Sequence, residues 1–200
     1  MNVQDELARA YPDDPDQLRR LRDRLAATAQ ADGILDIAYR TLDTPVGTLL
    51  LAATDLGLVR VAYRTEDHDA VLQNLSDRIS PRILHAPARL DQAARQLEEY
   101  FAKRRRTFDV ELDWRLSSGF RGTVLHQLPE IGYGHTASYA AVAQLAGNPK
   151  AVRAVGTACA TNPLPVVVPC HRVVRADGSL GGYLGGVEAK RILLSLEAAT

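Results

Sequence analysis

The chain has 200 residues, 46% hydrophobic and 24% charged, with no net charge; it is long and apolar enough to bury a sizeable core and is not a disordered polypeptide. No apolar run approaches a membrane span, and the acidic N-terminus (Asp5, Glu6, Asp13, Asp14, Asp16) lacks the basic-then-apolar pattern of a signal peptide, so a cytoplasmic protein without a membrane partner is expected. Cys159 and Cys170 are the only cysteines, too few for a disulfide framework or a cysteine-rich zinc site, which points to a reduced, reactive thiol.

Residues 5 to 30 read as a helix, with Leu18, Leu21 and Leu25 on one face and with Pro12 and Pro15 breaking an earlier turn. Residues 1–33 thus form a helical extension packed on the surface. From Ile34 the pattern changes to short strands: Leu35 to Leu42, a turn over Thr44-Pro45-Val46-Gly47, Thr48 to Ala53, a turn near Asp55 and Gly57, and Leu58 to Tyr63. These make a three-stranded antiparallel meander. Helices follow at about 68 to 79 and 89 to 105, the second with Leu90, Ala94, Leu97 and Phe101 on one face and the basic tetrad Lys103 to Arg106 at its C-terminal end, where cations suit the helix dipole. This α/β unit spans 34–110. Phe108 to Ser118 reads as an extended linker, with Trp114 as a residue packed between domains.

The remainder, 111–200, is mostly helical; residues 115–200 carry 8 Lys/Arg against 4 Asp/Glu, whereas residues 1–114 carry 16 against 20. That asymmetry is compatible with a nucleic-acid surface without establishing one. Phe120 to Leu128 reads as helix and ends in the turn Ile131-Gly132-Tyr133-Gly134. Ser138 is a good N-cap for a helix bearing Ala140, Val142, Ala143 and Leu145. After Gly147-Asn148-Pro149, a helix over Lys150 to Ala160 is rich in small residues and carries Arg153. Two short helices joined by such a turn have helix-turn-helix spacing, and a plain helical hairpin has the same spacing.

Next comes Asn162-Pro163-Leu164-Pro165-Val166-Val167-Val168-Pro169-Cys170-His171-Arg172. Its apolar residues suggest buried extended backbone, and Pro169 restricts Val168 to an extended conformation, so no helix is expected to carry the Cys-His pair. Five glycines then fall within nine residues, at 178, 181, 182, 185 and 186. No Gly-Lys-Ser/Thr accompanies them, so the loop suits the wall of a pocket for a flat group better than a phosphate cradle. A last helix, Glu188 to Ala198, turns Ile192, Leu193 and Leu196 inward and carries Glu197 late.

A lone cysteine after an apolar run is commonly just a small buried hydrophobe. Cys170, however, has His171 and Arg172 beside it, a base and a cation of the kind that lower a thiol pKa, and Glu197 could orient the histidine. Adjacent side chains on extended backbone point to opposite faces, so His171 would reach the sulfur through a water.

From Leu35 to Glu197 the chain resembles the O6-alkylguanine-DNA alkyltransferases, also called methylated-DNA-protein-cysteine methyltransferases. The resemblance rests on Pro169-Cys170-His171-Arg172-Val173, on Asn162-Pro163 before it and Gly182-Tyr183-x-Gly185-Gly186 after it, on Gly147-Asn148-Pro149-Lys150-Ala151-Val152-Arg153-Ala154-Val155-Gly156, and on Ser138-Tyr139. It implies an α+β fold in which a small sheet with helices joins a helical domain whose helix-turn-helix binds the minor groove of double-stranded DNA. Ala151, Ala154, Gly156 and Thr157 would contact DNA, small side chains suiting a narrow groove. Arg153 would enter the base stack, and Tyr139 would crowd the adjoining phosphate so that the damaged base is flipped out.

The resemblance further implies a base pocket lined by Val173, Tyr183, Gly185 and Gly186, with the Cys170 and Val173 carbonyls accepting from the exocyclic amine. His171, held by Glu197, would take the Cys170 proton through water. Asn162 would tie the helix-turn-helix to the active-site segment, and Tyr139 or water would protonate the leaving guanine. Implied substrates are O6-alkylguanine and O4-alkylthymine, with no metal or cofactor. The thioether product lacks the carbonyl that lets water release a thioester, so each molecule would act once. A monomer is expected, with cooperative assembly on DNA left open. The chain departs from the family pattern at Gly132, where a proline is common, at His135, where an acid is frequent, and at Cys159-Ala160-Thr161. These bear on substrate range and DNA affinity, and Cys159 is expected to be packed and inert. The alternatives are a non-catalytic binder of alkylated bases, disfavoured by Cys170, and a cysteine hydrolase, disfavoured by the lack of a separate His/Asn partner.

Overall fold

The computed structural model describes residues 14–198. Helix α1 (Pro15–Ala31) begins at Asp14, whose carboxylate accepts from the backbone N–H groups of Asp16 and Gln17. The part of the expected helix before Asp14, with Pro12, lies outside the described residues. The leucine face expected to pack does not: Leu18, Leu21 and Leu25 are exposed, and Ala26 and Ala29 are the buried contacts. The small alanines join Leu35 in the main core cluster; Ala29 lies one turn after Leu25, so the covered strip borders the leucine stripe and is confined to its C-terminal, Ala26 side.

Strands β1 (Ile37–Thr44), β2 (Gly47–Thr54) and β3 (Gly57–Tyr63) form the antiparallel meander. Its first hairpin is closed by Thr44 and by Gly47, which takes φ +95° where a side chain would be strained. The sheet has a fourth strand that the sequence reading lacked. β4 (Ile83–His85) pairs parallel with β1, giving the order β3-β2-β1-β4. Three residues are too few to show an alternating pattern. What aligns β4 is the Asp36 carboxylate, which receives Arg82 Nε at 2.7 Å and Nη2 at 2.8 Å, together with Ser80.

Both sheet faces are covered, which explains the unbroken apolar run in β2. Leu50 and Ala52 face α2 (His68–Arg78), whose Val71 and Leu75 complete one cluster. Leu49, Leu51 and Tyr63 face the main core with α3 (Asp91–Phe101). This helix stops four residues short of the expected 105. Lys103 turns left-handed (φ +59°), and Arg105 pairs instead with Glu99 and Asp109.

The linker expected to run extended from Phe108 to Ser118 does so only in part: it is broken by a 3-10 helix over Trp114–Leu116, capped by the Asp113 carboxylate, which accepts from the Arg115 N–H. Leu112 forms a bridge with Leu58, and Gly57 has no room for a Cβ, which would lie 2.3 Å from the Glu111 carbonyl. Trp114 packs its ring on His126 at 3.9 Å, in helix α4 (Gly119–Gln127). Helices α5 (Tyr139–Leu145) and α6 (Val152–Ala160) follow, α5 capped by Ser138, which accepts from Ala141 N–H at 3.1 Å. The main core runs on through Val124, Leu125, Val142, Ala143 and Val155 to Leu193 of the last helix, α7 (Gly186–Ala198). A short parallel pair, β5 (Ala137–Ser138) with β6 (Val173–Val174), joins the start of α5 to the chain just beyond Cys170.

Candidate active site

Residues 162–174 are all buried. They are not the extended strand that the sequence suggested. Prolines at 163, 165 and 169 remove ladder donors, and the loop satisfies itself: Val168 N–H bonds to Leu164 O at 2.8 Å and Cys170 N–H to Val168 O at 2.8 Å. Val166 is held at φ +73°, a strained conformation for a β-branched residue. Cys170 to Arg172 then form a single 3-10 turn, so the Cys-His pair is carried by helical turn rather than by extended backbone.

Asn162, the second residue after α6, holds this loop from within. Its Nδ2 donates to Val168 O at 2.9 Å and to Cys170 Sγ at 3.2 Å, and its Oδ1 accepts from Leu164 N–H at 3.0 Å. The thiol is 1% exposed. Burial pushes its pKa up to about 11, against the opposing effects of the Asn162 hydrogen bond and the Lys190 charge. The expectation of a thiol acidified by its sequence neighbours is therefore corrected: the free protein holds Cys170 as the neutral thiol.

Arg172, expected to act on that thiol, is committed elsewhere. Its Nε and Nη2 each donate to a Glu197 oxygen at 2.9 Å, and its Nη1 donates to Ile131 O at 2.6 Å. The buried cation that bears on Cys170 is Lys190, one turn before Leu193 on the inner face of α7, whose Nζ donates to Val173 O at 2.5 Å. Sequence reasoning passed it over because a lysine among the polar residues of an amphipathic helix signals solvent. The Val173 carbonyl, implied as an acceptor for substrate, thus already has one donor.

Glu197 Oε1 lies 2.9 Å from His171 Nε2, both side chains being buried. Burial would raise the carboxyl pKa, but the hydrogen bonds from His171, Arg172 and Tyr100 outweigh it and hold it at about 2. Glu197 is an ionised acceptor, so His171 Nε2 carries the hydrogen and Nδ1 is the lone-pair nitrogen. Burial lowers the His171 pKa, and Nδ1 is buried with no hydrogen-bond partner. The imidazole is neutral, and its basic nitrogen meets no protein donor.

Two tyrosines from the N-terminal half complete the surroundings, and neither stood out in the sequence. Tyr100 on α3 donates to Glu197 Oε1 at 2.7 Å. Tyr63 on β3 shares a 2.9 Å hydrogen bond with the Tyr183 hydroxyl, their rings edge to face, and its ring fills the space beside Gly185, where a Cβ would come within 2.6 Å. Tyr183 in turn presents its ring 6.4 Å from that of His171. Gly186 takes φ +86° at the start of α7. Tyr139 is half-buried at the start of α5, its hydroxyl 3.1 Å from where a Gly181 Cβ would lie.

On α6 one face is buried through Val155, Ala158 and Cys159, while Arg153, Ala154 and Thr157 are exposed and Ala151 and Gly156 partly so. The structure thus brings Cys170, His171, Glu197, Asn162, Val173 and Tyr183 together and sets the α6 residues on a separate outward surface. Burial pushes the Cys159 thiol up to about 12. His135 is exposed and its Nδ1 bonds to the Tyr133 carbonyl at 3.0 Å, 3.6 Å from a Cβ built on Gly132. Among the described residues no group of three or more His, Cys, Asp or Glu could hold a metal, and no helix is long and apolar enough to cross a membrane.

Two family models match the chain: the 6-O-methylguanine DNA methyltransferase ribonuclease-like domain over residues 37–114, and the DNA binding domain of the same family over 119–199. A methylated-DNA–protein-cysteine methyltransferase of Mycolicibacterium paratuberculosis is 41% identical over 161 residues, covering 80% of this chain and 92% of that protein. The crystal structure of Mycobacterium tuberculosis O6-methylguanine methyltransferase matches with a TM-score of 0.72 at 39% identity, covering 82% of this chain and 93% of the other. A structure of the Mycobacterium tuberculosis protein OGT in complex with DNA matches with a TM-score of 0.71 at 40% identity, covering 81% and 93%.

Proposed function

The chain belongs to the 6-O-methylguanine DNA methyltransferase family, and we propose that it repairs O6-alkylguanine, and O4-alkylthymine, in double-stranded DNA by moving the alkyl group irreversibly to Cys170. The observation that carries this reading is the pairing of a buried thiol held by Asn162 with a neutral His171 whose Nδ1 is left without a partner. Such a pair is matched to one proton transfer and needs no further base.

The step balances within these residues. The Cys170 S–H bond breaks, its proton passes through a water to His171 Nδ1, and the sulfur lone pair forms a bond to the alkyl carbon as the carbon–O6 bond breaks. The electron pair of that bond leaves on guanine, which takes a proton from Tyr139 or water. His171, now an imidazolium, is balanced by Glu197 through Nε2. With the thiol pKa at about 11 and that of the imidazole lowered, a thiolate–imidazolium pair is unfavourable in the free protein, so the proton moves as the new bond forms. The thioether offers water no carbonyl to attack, which makes the protein a reagent consumed in one turnover.

DNA would be met in the minor groove by the outward face of α6. Ala151, Ala154, Gly156 and Thr157 allow close approach, and Arg153 fills the stack behind a flipped nucleotide. The glycine loop with Tyr183, Gly185 and Gly186 would wall the pocket opposite Val173. Cys170→Ser tests the reading: the variant is expected to bind duplex bearing O6-methylguanine while acquiring no methyl group. A Cys170→Ser protein that still removed the methyl group would overturn it, and a wild type that bound without transfer would make the protein a recognition module.

A further inference from the structure

We infer that Tyr100 is a positioning residue of the alkyl-transfer site, by which the N-terminal half of the chain fixes Glu197 against the His171 imidazole; the inference rests on the role just given to His171. The geometry leaves the phenol little choice. Tyr100 is 0% exposed, and its ring is packed at 5.3 Å from Phe101, 5.4 Å from Phe108 and 6.1 Å from Tyr133. Packing alone would be served by phenylalanine. The hydroxyl adds a buried donor that must find an acceptor, and it is aimed at Glu197 Oε1, the same oxygen that receives His171 Nε2–H and Arg172 Nη2.

The other oxygen, Oε2, takes Arg172 Nε and, at 3.2 Å, the Gly134 N–H. A carboxylate ringed by donors from three separate segments has a fixed orientation. Its charge is also spread over many bonds, which limits how strongly it pulls on any one proton. The charged and titratable groups facing this pair come from every neighbouring element: Cys170 and Arg172 from the turn, Lys190 from α7, Tyr183 from the glycine loop, and Tyr133, with Arg106 over its ring, from the segments beside α3. Tyr100 adds to these a neutral, unionised donor, brought from α3 to the oxygen that His171 uses.

Removing that donor leaves more negative charge on Oε1. His171 Nε2–H is then held more strongly, and the imidazolium is favoured before the reaction, when a free Nδ1 lone pair is required. A hydrogen bond that served only to tie the two halves of the chain together would change stability without changing when His171 takes up a proton.

The test is Tyr100→Phe in the full chain, read by the pH dependence of single-turnover methyl transfer and by NMR titration of the His171 ring without DNA. The expected result is an acid limb of the transfer rate and a His171 titration both moved upward by about one pH unit, so that transfer is slower below neutral pH, the size that follows from losing a hydrogen bond to a charged group. Should Tyr100→Phe not fold, a fluorinated tyrosine at position 100 keeps the shape and strengthens the donor, and both curves are expected to move downward. Curves that coincide with wild type, whatever the melting temperature, would overturn the positioning role. Absence of methyl transfer by the wild type would instead overturn the assignment of the reaction, and the DNA-free titration still reports on Tyr100.

Discussion

Asn162 donates to Cys170 Sγ at 3.2 Å and to the Val168 carbonyl at 2.9 Å, so one amide at the end of α6 fixes both the nucleophile and the loop that carries it. Asn162→Ala removes these bonds and leaves the buried Leu164 N–H without its acceptor, while the Val168 carbonyl keeps the Cys170 N–H. A buried group left unsatisfied in this way costs about 1–3 kcal/mol. The expected outcome is a clear fall in melting temperature and a loss of transfer rate of at least about tenfold, since the same bond opposes the rise of the thiol pKa. A variant with lower stability but an unchanged single-turnover rate would show that the bond to sulfur is incidental.

Lys190 is the buried cation that lowers the Cys170 pKa against desolvation, with its ammonium held by the Val173 carbonyl. Lys190→Met keeps the length of the side chain and removes the charge. Thiol titration, followed by thiolate absorbance, is expected to move further above about 11, with slower transfer at neutral pH. A thiol titration unchanged by the substitution would mean that the charge of Lys190 does not reach the sulfur.

Gly185 has no space for a Cβ because the Tyr63 ring occupies it. Gly185→Ala forces the ring or the loop to move, an overpacking cost of about 1–3 kcal/mol. Tyr63→Leu relieves the clash but leaves the Tyr183 hydroxyl without its partner. In a double-mutant cycle on stability the pair is expected to be coupled, the alanine costing less in the Tyr63→Leu background. Additive losses would place the strain elsewhere.

The depressed pKa of Glu197 makes stability depend on pH. Its carboxyl titrates at about 2 in the folded protein against an ordinary 4.5, so its contribution is complete above about pH 4.5 and disappears as pH falls toward 2. Urea midpoints of wild type and Glu197→Gln are expected to differ most at neutral pH and to converge across that window. Parallel curves down to pH 2 would show that the folded carboxyl is not perturbed.

The motif around Cys170 made the chemistry legible because its members are neighbours in sequence or fall at fixed spacing: Asn162, Cys170, His171, Tyr183 and Glu197. What escaped was brought in by the fold. Tyr63 and Tyr100 lie on a strand and a helix of the N-terminal half and meet the site only after the two halves share a core. Arg172 looked like the cation for the thiol by adjacency, yet a 3-10 turn in place of extended backbone directs it to Glu197. The leucines of α1 showed a clear helical stripe, but periodicity does not say which side of a helix is covered, and here Ala26 and Ala29 are. β4 depends on the ion pair between Asp36 and Arg82, which are 46 residues apart.

The central claim is the identity of the acceptor atom. Incubating the protein with excess duplex containing O6-methylguanine, digesting it and weighing the peptides is expected to find one methyl group per molecule, on the Cys170 peptide alone, with the DNA restored to guanine and no further repair by the spent protein. Repair without a modified Cys170 peptide, or more than one lesion repaired per molecule, would contradict it.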